Sequence, residues 1–504
     1  MTLERARRSA ALPVALALVV YLVLGYGVGR PFGEAGDPTY FIHAGQAYRA
    51  PEMLPPDAFI ETSTGYDGQF FFYLAQDPLL TGKAATRDQE TSDHIDNVAY
   101  RYQRILLPLA GWLVSWGHPS VLQWTLPLLN LAAVLAATWL LAVFLRSRGR
   151  PTWAAVAFPL SMGVVVGVFN DVSDPIGAAL FLMGVLWWLD RRTAAAVAAL
   201  TACIFARELY VLPVAVLAVA ELVRSRRAAL PWLIPLAVFG AWQAYLRLAF
   251  AASPTEGSHG PSAVPIRGVI EKVRTVVRED LVGAANWELA FLAFVLICWA
   301  YFAVRAVASI RAHGRAPTRE QVFPLVGLGA LFLFPFLTDE LLANVPSYTR
   351  YAAAVGGLLV IAFGLWGDAM SRFLLVGSTG LLLFNPIVAV LPTRHQGLVR
   401  PPAPLSPQES RAGELARCIE AAGVVARRTE DAPPGASVVT LSTSGGRAGS
   451  VYVFGDEAAA RKFHEGLRGF VGPAGDVELS GSVIVSWPRG AEAADAGAVT
   501  GCLG

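Results

Sequence analysis

Two aspartates near the start of the chain stand among aromatic residues, a setting that suits acid–base chemistry at a membrane surface. Asp37 lies in the segment GDPTYF, and Asp67 lies in the segment GYDGQFFFYLA with Tyr66 and Gln69 beside it. An apolar wall raises the pKa of a carboxyl group, and aromatic rings offer flat faces to a sugar. A general base that deprotonates an acceptor hydroxyl has these needs. The alternative also stands: the rings would form an interfacial belt, and the aspartates would be helix caps or loop charges.

Three further segments contain arginines that are candidates for a functional site. Arg101 and Arg104 belong to the segment YRYQR, and Arg350 stands between Thr349 and Tyr351 in the segment SYTRY. Arg207 and Glu208 interrupt a pair of short apolar segments. Ionisable residues at membrane depth are functional candidates, although these two would equally pair with each other for structure.

The remaining sequence narrows the function classes. It contains no phosphate-binding loop, no dinucleotide-binding glycine pattern and no HExxH zinc motif, and its seven histidines lack metal-ligand spacing. No cofactor is therefore predicted with certainty, and a divalent metal stays open without a motif to support it. The formal net charge of +2 and the absence of a basic tract with interleaved aromatics argue against a nucleic-acid partner.

The candidate residues lie between or within long apolar runs, which predict the helices that would position them. The chain has 504 residues, of which 55% are hydrophobic and only 15% charged, whereas a soluble domain carries about 25% charged residues. The pattern predicts an all-α polytopic membrane protein with about eleven transmembrane helices. The predicted spans are Leu12–Gly29, Val121–Leu145, Thr152–Phe169, Pro175–Leu189, Thr193–Ala206, Leu209–Ala220, Ala229–Leu246, Leu289–Val304, Val322–Leu337, Tyr351–Gly367 and Phe373–Leu391.

Arginine clusters orient the spans, because cytoplasmic loops are enriched in positive charge. The clusters lie at Arg146, Arg148 and Arg150, at Arg191 and Arg192, at Arg224, Arg226 and Arg227, from Arg305 to Arg319, and at Arg372. Placing every cluster inside puts the N-terminus in the cytoplasm and residues 30–120 in one large outer loop. This parity requires that Ile105–Trp116, which is about half a span long, lies as an interfacial helix on the outer leaflet. The expected location is the plasma membrane, with several passes through it.

The C-terminal part changes character. Residues 1–392 are predicted to form the transmembrane domain, residues 393–408 a Pro-rich linker, and residues 409–504 a small extracytoplasmic α+β domain. Cys418 and Cys502 bracket that last domain, and an oxidising compartment would let them form a disulfide. Two free thiols would be the alternative. Cys203 and Cys298 fall within predicted spans and are expected to be small apolar residues.

The first loop and the late arginine segment of this sequence resemble those of a known class of membrane enzymes. A short first span, a long outer loop with Asp beside Tyr and Phe, an amphipathic helix and a span that ends in arginines resemble the GT-C class of membrane glycosyltransferases. The segment from Tyr66 to Ala75 looks like the Asp–aromatic–Ala stretch of the mannosyltransferase-like branches, and YRYQRILLP resembles bacterial members linked to cell-surface glycopolymer formation. The segment SYTRY resembles the late Arg–Tyr segment that holds the donor phosphate. The loop from Asn170 to Asp174 loosely matches a second acidic site of some branches.

The resemblance implies transfer of a sugar from a polyprenyl-phosphate donor to a cell-envelope glycan or lipid acceptor at the outer face. Asp67 or Asp37 would then be the catalytic base, and the choice between them stays open. The donor side would comprise Arg350, Tyr348, Tyr351, Arg207 and Glu208, and the acceptor side Tyr66, Gln69, Arg101 and Arg104. The expected partners are donor, acceptor and lipid bilayer.

A different class remains as the alternative. A transporter or flippase for a lipid-linked saccharide, or a non-catalytic envelope-assembly subunit, would also be polytopic. Transporters usually contain two related halves, and the sequence shows no such symmetry.

Overall fold

The structure of the chain is a computed structural model. In the N-terminal part it describes residues 3–28, 37–56, 58–61, 64–79, 94–250, 264–279, 285–311, 317–338, 342, 345–384 and 398–399. In the C-terminal part it describes residues 411–412, 414–415, 418–419, 425–429, 436–442, 448–454, 456–458, 460–462, 464, 475–488, 499 and 502. The chain divides into two compact units, Met1–Val399 and Arg400–Gly504.

The first unit is mostly helical. Its helices are α1 Leu3–Val28, α2 Asp67–Leu74, α3 Val98–Tyr102, α4 Leu106–Ser115, α5 Pro119–Ser147, α6 Met162–Phe169, α7 Asp174–Leu189, α8 Thr193–Ala206, α9 Val211–Arg224, α10 Arg226–Phe250, α11 Arg267–Glu279, α12 Ala285–Arg311, α13 Arg319–Ala330, α14 Val345–Arg350, α15 Val355–Trp366 and α16 Ala369–Phe384. Three two-residue strands, β1 Ala44–Gly45, β2 Ile60–Glu61 and β3 Leu398–Val399, form a small sheet in the order β1-β2-β3.

Four helical segments among the described residues are long and apolar enough to cross a membrane. They are Pro119–Ser147, Ala229–Phe250, Glu288–Arg311 and Tyr348–Trp366. Four shorter apolar helices accompany them, at Ala10–Tyr26, Leu106–Ser115, Asp174–Leu189 and Thr193–Ala206. The structure therefore shows a mostly helical protein in which four described segments could cross a membrane, and eleven spans remain a prediction.

Several predicted spans are broken in the structure. Thr152–Phe169 is not one helix: a 3-10 helix at Thr152–Ala157 is followed by turns, and α6 starts only at Met162. Pro159 explains the break, because it has no N–H to donate and its ring would clash with a carbonyl one turn earlier. The segment predicted as Val322–Leu337 likewise ends its α-helix at Ala330 and continues as a 3-10 helix at Phe334–Phe336.

Helices α5, α7, α8 and α10 pack side by side around the main apolar core. At Gly184 in α7 a Cβ would lie 2.7 Å from the Leu200 side chain of α8, so a larger residue would force the Leu200 side chain or the two helices to shift. Helix α4 buries Leu107 and Gly111 against α5 while Leu113 stays exposed. Its ten residues span only about 15 Å, half of a hydrocarbon core.

A second apolar core joins described residues of the first loop, between α1 and α5, to one end of each of α5, α7, α8 and α10. In α2 the run from Phe70 to Leu74 is buried, and it packs against Val98 and Tyr102 of α3. The N-terminal end of α2 and the C-terminal end of α3 are thereby fixed on one another. These ends carry Asp67 and Arg101.

The second unit contains a five-stranded antiparallel sheet. Its strands are β4 Val425–Thr429, β5 Ala436–Ser442, β6 Ala448–Phe454, β7 Gly475–Ser480 and β8 Val483–Pro488, in the spatial order β4-β5-β6-β8-β7. The sequence predicts strands at the apolar runs Val438–Leu441, Val451–Phe454 and Val483–Trp487, which fall within β5, β6 and β8. Strands β4 and β7 contain too many charged and polar residues to be recognised in the sequence. A disulfide joins Cys418 to Cys502, with the Cα atoms 5.9 Å apart.

Candidate active site

Asp67 is held between two arginines that come from distant parts of the chain. Arg101 places Nη1 2.7 Å from Oδ1 of Asp67, and Arg350 donates from Nη1 to Oδ2 at 2.9 Å. Asp67 is the first residue of α2, where the helix dipole favours an anion, and Arg350 is the last residue of α14, where it favours a cation. The structure thus brings together three residues that the sequence placed in three separate segments.

Close backbone packing positions Asp67. Gly65 has a φ of +72°, and its backbone approaches Gly45 so closely that a Cβ on it would lie 2.4 Å from the Gly45 nitrogen. The Gln69 side chain accepts from the Gly45 N–H at 2.9 Å and donates to the Thr64 carbonyl at 2.7 Å. Gln69 therefore secures the turn before α2, which differs from the acceptor-side role expected from the resemblance.

The ion pairs continue into a chain of eight charged side chains, four carboxylates and four arginines. Every neighbouring N–O pair in the chain lies within 4.0 Å, and the formal charges sum to zero. In spatial order the members are Asp96, Arg101, Asp67, Arg350, Asp174, Arg207, Glu208 and Arg104. Because buried charges are tolerated only with partners, this neutral chain accounts for so many ionised groups in one apolar region.

Arg207 and Glu208 do form an ion pair with each other, but each has a closer partner elsewhere. Their closest charged atoms are 4.0 Å apart, whereas Arg207 lies 3.0 Å from Asp174 and Glu208 lies 2.7 Å from Arg104. Arg207 has extended backbone angles, φ −151° and ψ 113°, at the break between α8 and the following 3-10 helix. Neighbouring side chains on extended backbone point in opposite directions, and so each reaches a different partner.

Aromatic rings cover the arginines of the chain. The Arg350 guanidinium lies 4.9 Å from the Tyr66 ring, that of Arg101 lies 4.3 Å from Phe70, and that of Arg207 lies 5.2 Å from Tyr351. Such contacts stabilise a cation and fix its plane. Tyr348 takes no part in this: it is fully buried, its ring lies 5.8 Å from Phe291, and none of its described side-chain contacts reaches the charged chain.

Asp37 has a local structural role. Its Oδ1 accepts a hydrogen bond from the Thr39 N–H at 2.9 Å and caps the 3-10 helix Pro38–Phe41. Thr39 in turn accepts from the Phe59 N–H through its hydroxyl. Of the two aspartates that the sequence left open, Asp67 is the one that contacts Arg350.

Asp67 differs from its two arginine partners in its exposure, and the arginines control its pKa. Burial alone would raise the pKa of Asp67, but Arg101, Arg350 and Arg104 outweigh it and hold this pKa well below the usual value of a carboxyl group. The Asp67 side chain is 17% exposed, compared with 7% for Arg101 and 6% for Arg350. Asp67 is therefore ionised at neutral pH, and it is the member of the trio most open to an incoming molecule.

A second acidic group lies in the loop between α6 and α7. Asp171 is fully buried with a φ of +47°, and neither of its carboxylate oxygens has a hydrogen-bond partner among the described residues. Burial raises the pKa of Asp171 well above the usual value. Asn130 holds this loop by donating to the Val172 carbonyl at 3.0 Å. The loop contacts the start of α2, since a Cβ on Gly68 would lie 2.4 Å from the Asn170 carbonyl oxygen.

The structure contains one polar pair near Asp67 that the sequence does not predict. Nδ1 of His43 lies 2.6 Å from Oε1 of Glu61, and both side chains are nearly buried. The His43 carbonyl accepts from the Tyr66 N–H at 3.0 Å, and the His43 ring is 6.5 Å from that of Tyr66. No spacing in the sequence could reveal this pair, because a two-residue parallel register between β1 and β2 brings it together.

The described part of the chain contains no group of three or more His, Cys, Asp or Glu side chains that could hold a metal ion. Arginine guanidinium groups bind phosphates through paired hydrogen bonds, so the arginines of this site could hold an anionic ligand. Comparison with protein-family models, curated proteins and solved structures finds no match to this chain.

Proposed function

We propose that this protein is a membrane glycosyltransferase that takes a sugar from a polyprenyl-phosphate donor and transfers it to a cell-envelope glycan or lipid acceptor. One observation carries the proposal: Asp67, in the first loop, is within hydrogen-bond distance of Arg350. A carboxylate that can accept a proton and a guanidinium that can hold a phosphate thus share one partly open site. The GT-C resemblance of the sequence needs these two groups side by side.

The reaction divides between the two residues. Asp67 accepts the proton of the acceptor hydroxyl, and the hydroxyl oxygen forms a bond to the anomeric carbon of the sugar. The bond from that carbon to the phosphate oxygen breaks, and the electron pair leaves with the polyprenyl phosphate. Arg350 stabilises the negative charge that develops there, which is a principal way in which enzymes lower such barriers. One proton and one sugar are transferred, and no oxidant or nucleotide is required.

The surrounding residues have matching roles in this proposal. Arg101 holds the second oxygen of Asp67 and orients the carboxylate. The partly exposed rings of Tyr66 and Tyr351 flank the arginines and present apolar faces to a sugar or a lipid chain. Arg104 and Glu208 form the far end of the charged chain and fix the break between α8 and α9 against the first loop.

The membrane arrangement belongs to the same proposal. About eleven spans would place the N-terminus in the cytoplasm and both the first loop and the second unit outside. The Cys418–Cys502 disulfide supports an oxidising location for the second unit. The site would then face the outer leaflet of the plasma membrane, where lipid-linked sugars are accessible without nucleotides.

The direct test is transfer by the purified full-length protein in proteoliposomes. The probes are radiolabelled hexose and pentose polyprenyl phosphates, offered together with a crude envelope-glycan acceptor. The expected result is label in the acceptor and release of polyprenyl phosphate in equal amounts. Translocation of intact donor across the bilayer without cleavage would contradict the proposal and favour a flippase. Absence of both activities with every donor would favour a non-catalytic assembly subunit.

A further inference from the structure

Asp67 occupies the place between two guanidinium groups that a phosphate would take. One of its oxygens contacts Arg101 at 2.7 Å and the other contacts Arg350 at 2.9 Å. A phosphate bound by two arginines has the same arrangement: two of its oxygens each accept a hydrogen bond from a different guanidinium group. The Asp67 carboxylate thus occupies a position between Arg101 and Arg350 that could also accommodate a phosphate.

The two arginines are not held equally firmly. Arg101 also donates to both oxygens of Asp96, at 2.8 and 2.7 Å, and stacks on Phe70. The other acidic neighbour of Arg350 is Asp174, at a longer 3.5 Å. Within the described residues, the buried Nε of Arg350 has no hydrogen-bond partner. Arg350 is therefore the member with hydrogen-bonding capacity to spare, while Arg101 is fixed.

We propose that the phosphate of the donor displaces Asp67 from Arg350, so that donor binding itself converts Asp67 into the general base. This step rests on the proposed function and names the regulation of its site. Before donor binding, the carboxylate is neutralised from both sides and has little tendency to take a proton. Once a phosphate engages Arg350, the carboxylate loses one cation and gains a neighbouring anion, and both changes favour proton uptake. The acceptor hydroxyl is then deprotonated only when a donor is present.

The proposal makes an unusual prediction for binding, because it treats Asp67 as a competitor of the ligand. Asp67→Asn keeps the shape of the side chain but removes the charge that occupies the arginines. The affinity for a lipid phosphate should therefore rise, by about tenfold, which is the lower range of one charge-assisted hydrogen bond. Arg350→Gln should lower the affinity by about tenfold for the same reason. A base with no part in holding the arginine would leave the affinity unchanged.

The probe is farnesyl phosphate, titrated into the full-length protein in nanodiscs and followed by calorimetry. Farnesol supplies the chain without phosphate, and inorganic phosphate supplies the anion without the chain. Glu320→Gln is the matched control, because Glu320 forms a 2.7 Å ion pair with Arg148 that shares no residue with the site. Thermal melting of each variant verifies that it is folded.

Tighter binding of farnesyl phosphate by Asp67→Asn, with no change for Glu320→Gln and no binding of farnesol, is the expected result. Equal or weaker binding by a folded Asp67→Asn protein would overturn the displacement. Inorganic phosphate binding as tightly as farnesyl phosphate would overturn the lipid source of the anion. Sugar transfer without tighter binding would remove this inference and leave the proposed function standing. Tighter binding without transfer from any donor would remove the proposed function and leave the displacement standing.

Discussion

Asp67 and Arg350 are 283 residues apart in the chain, yet the Arg350 guanidinium donates to Oδ2 of Asp67 at 2.9 Å. The contact joins the first loop to the last turn of α14 and puts an anionic and a cationic group in one site. It also ties these segments to α7 and α8 through Asp174 and Arg207. The chain of eight charged residues is thus both a structural link between distant segments and a candidate reaction centre.

The Arg104–Glu208 ion pair, at one end of the series of eight charged side chains, should contribute to the free energy of unfolding. Glu208→Gln leaves the buried Arg104 without its ionised partner, and removing one member of a buried pair typically costs about 3–5 kcal/mol. Because Glu208 is 22% exposed, the lower part of that range is expected. Thermal melting in detergent should show a clearly lower transition temperature.

The matched control for this change is Asp190→Asn, which breaks the exposed Asp190–Arg192 pair. Exposed pairs contribute about 0–1 kcal/mol, and so its transition temperature should stay close to that of the wild type. Equal effects of the two substitutions would show that the Arg104–Glu208 contact does not act as a buried pair.

Acid should weaken the protein partly through Asp67. Arg101 and Arg350 lower the pKa of Asp67 in the folded protein, whereas an unfolded Asp titrates near about 3.9. A lowered folded pKa contributes stability that is fully present above the unfolded value and is lost as the pH falls towards the folded value. The stability difference between wild type and Asp67→Asn should therefore be constant from pH 7 to about 5 and shrink below about 4. Melting curves across this range would disprove the ion pairs if the difference did not depend on pH.

The disulfide of the second unit should persist in the purified protein. Denaturation without reductant should expose only two thiols to maleimide, those of Cys203 and Cys298, and reduction should expose four. Cys502→Ser should destabilise the second unit by about 4 kcal/mol, because the bond closes a loop of 84 residues. Four reactive thiols without reductant would rule out the bond and the oxidising location that it supports.

The proposed orientation predicts which residues face outward. In a variant with Cys203 and Cys298 replaced by Ala, a membrane-impermeant maleimide should label Leu79→Cys in intact cells. Arg148→Cys should be labelled only after permeabilisation, since Arg148 belongs to a cluster placed in the cytoplasm. Leu79 is well exposed, and Arg148 lies in an exposed ion pair, so access by the reagent is not limiting. Labelling of Arg148→Cys in intact cells would mean that Ile105–Trp116 crosses the membrane.

The sequence could identify the charged residues of the site but not their pairing. Asp67, Arg101, Arg104, Arg207, Glu208 and Arg350 stand out because ionisable groups are rare in apolar surroundings. Which carboxylate meets which arginine depends on helix packing, and so adjacency in the sequence does not reveal the closest partners of Arg207 and Glu208, which are Asp174 and Arg104. The His43–Glu61 pair had no signal at all, because both residues are ordinary loop types until β1 and β2 meet.

For the helices as well, the sequence predicts some features and not others. Hydropathy predicts α5, α7, α8 and α10 to within a few residues, since long apolar runs are typical of helices that cross a membrane. It could not locate the break at Pro159, because a proline within an apolar run is compatible with either a kink or a stop. The strands β4 and β7 were missed since their charged and polar residues give no clear alternation.

The central claim is that Asp67 is the base of a sugar transfer from a polyprenyl phosphate, and a comparison of initial transfer rates in proteoliposomes tests it most directly. Asp67→Asn should lower the rate by about a hundred- to ten-thousand-fold, because the amide cannot accept a proton. Asp37→Asn should retain near-normal transfer, since Asp37 caps a 3-10 helix and an Asn side chain can accept the same hydrogen bond. Near-normal transfer by a folded Asp67→Asn protein would contradict the claim. Loss of transfer in His43→Gln under the same conditions would then move the base to the His43–Glu61 pair.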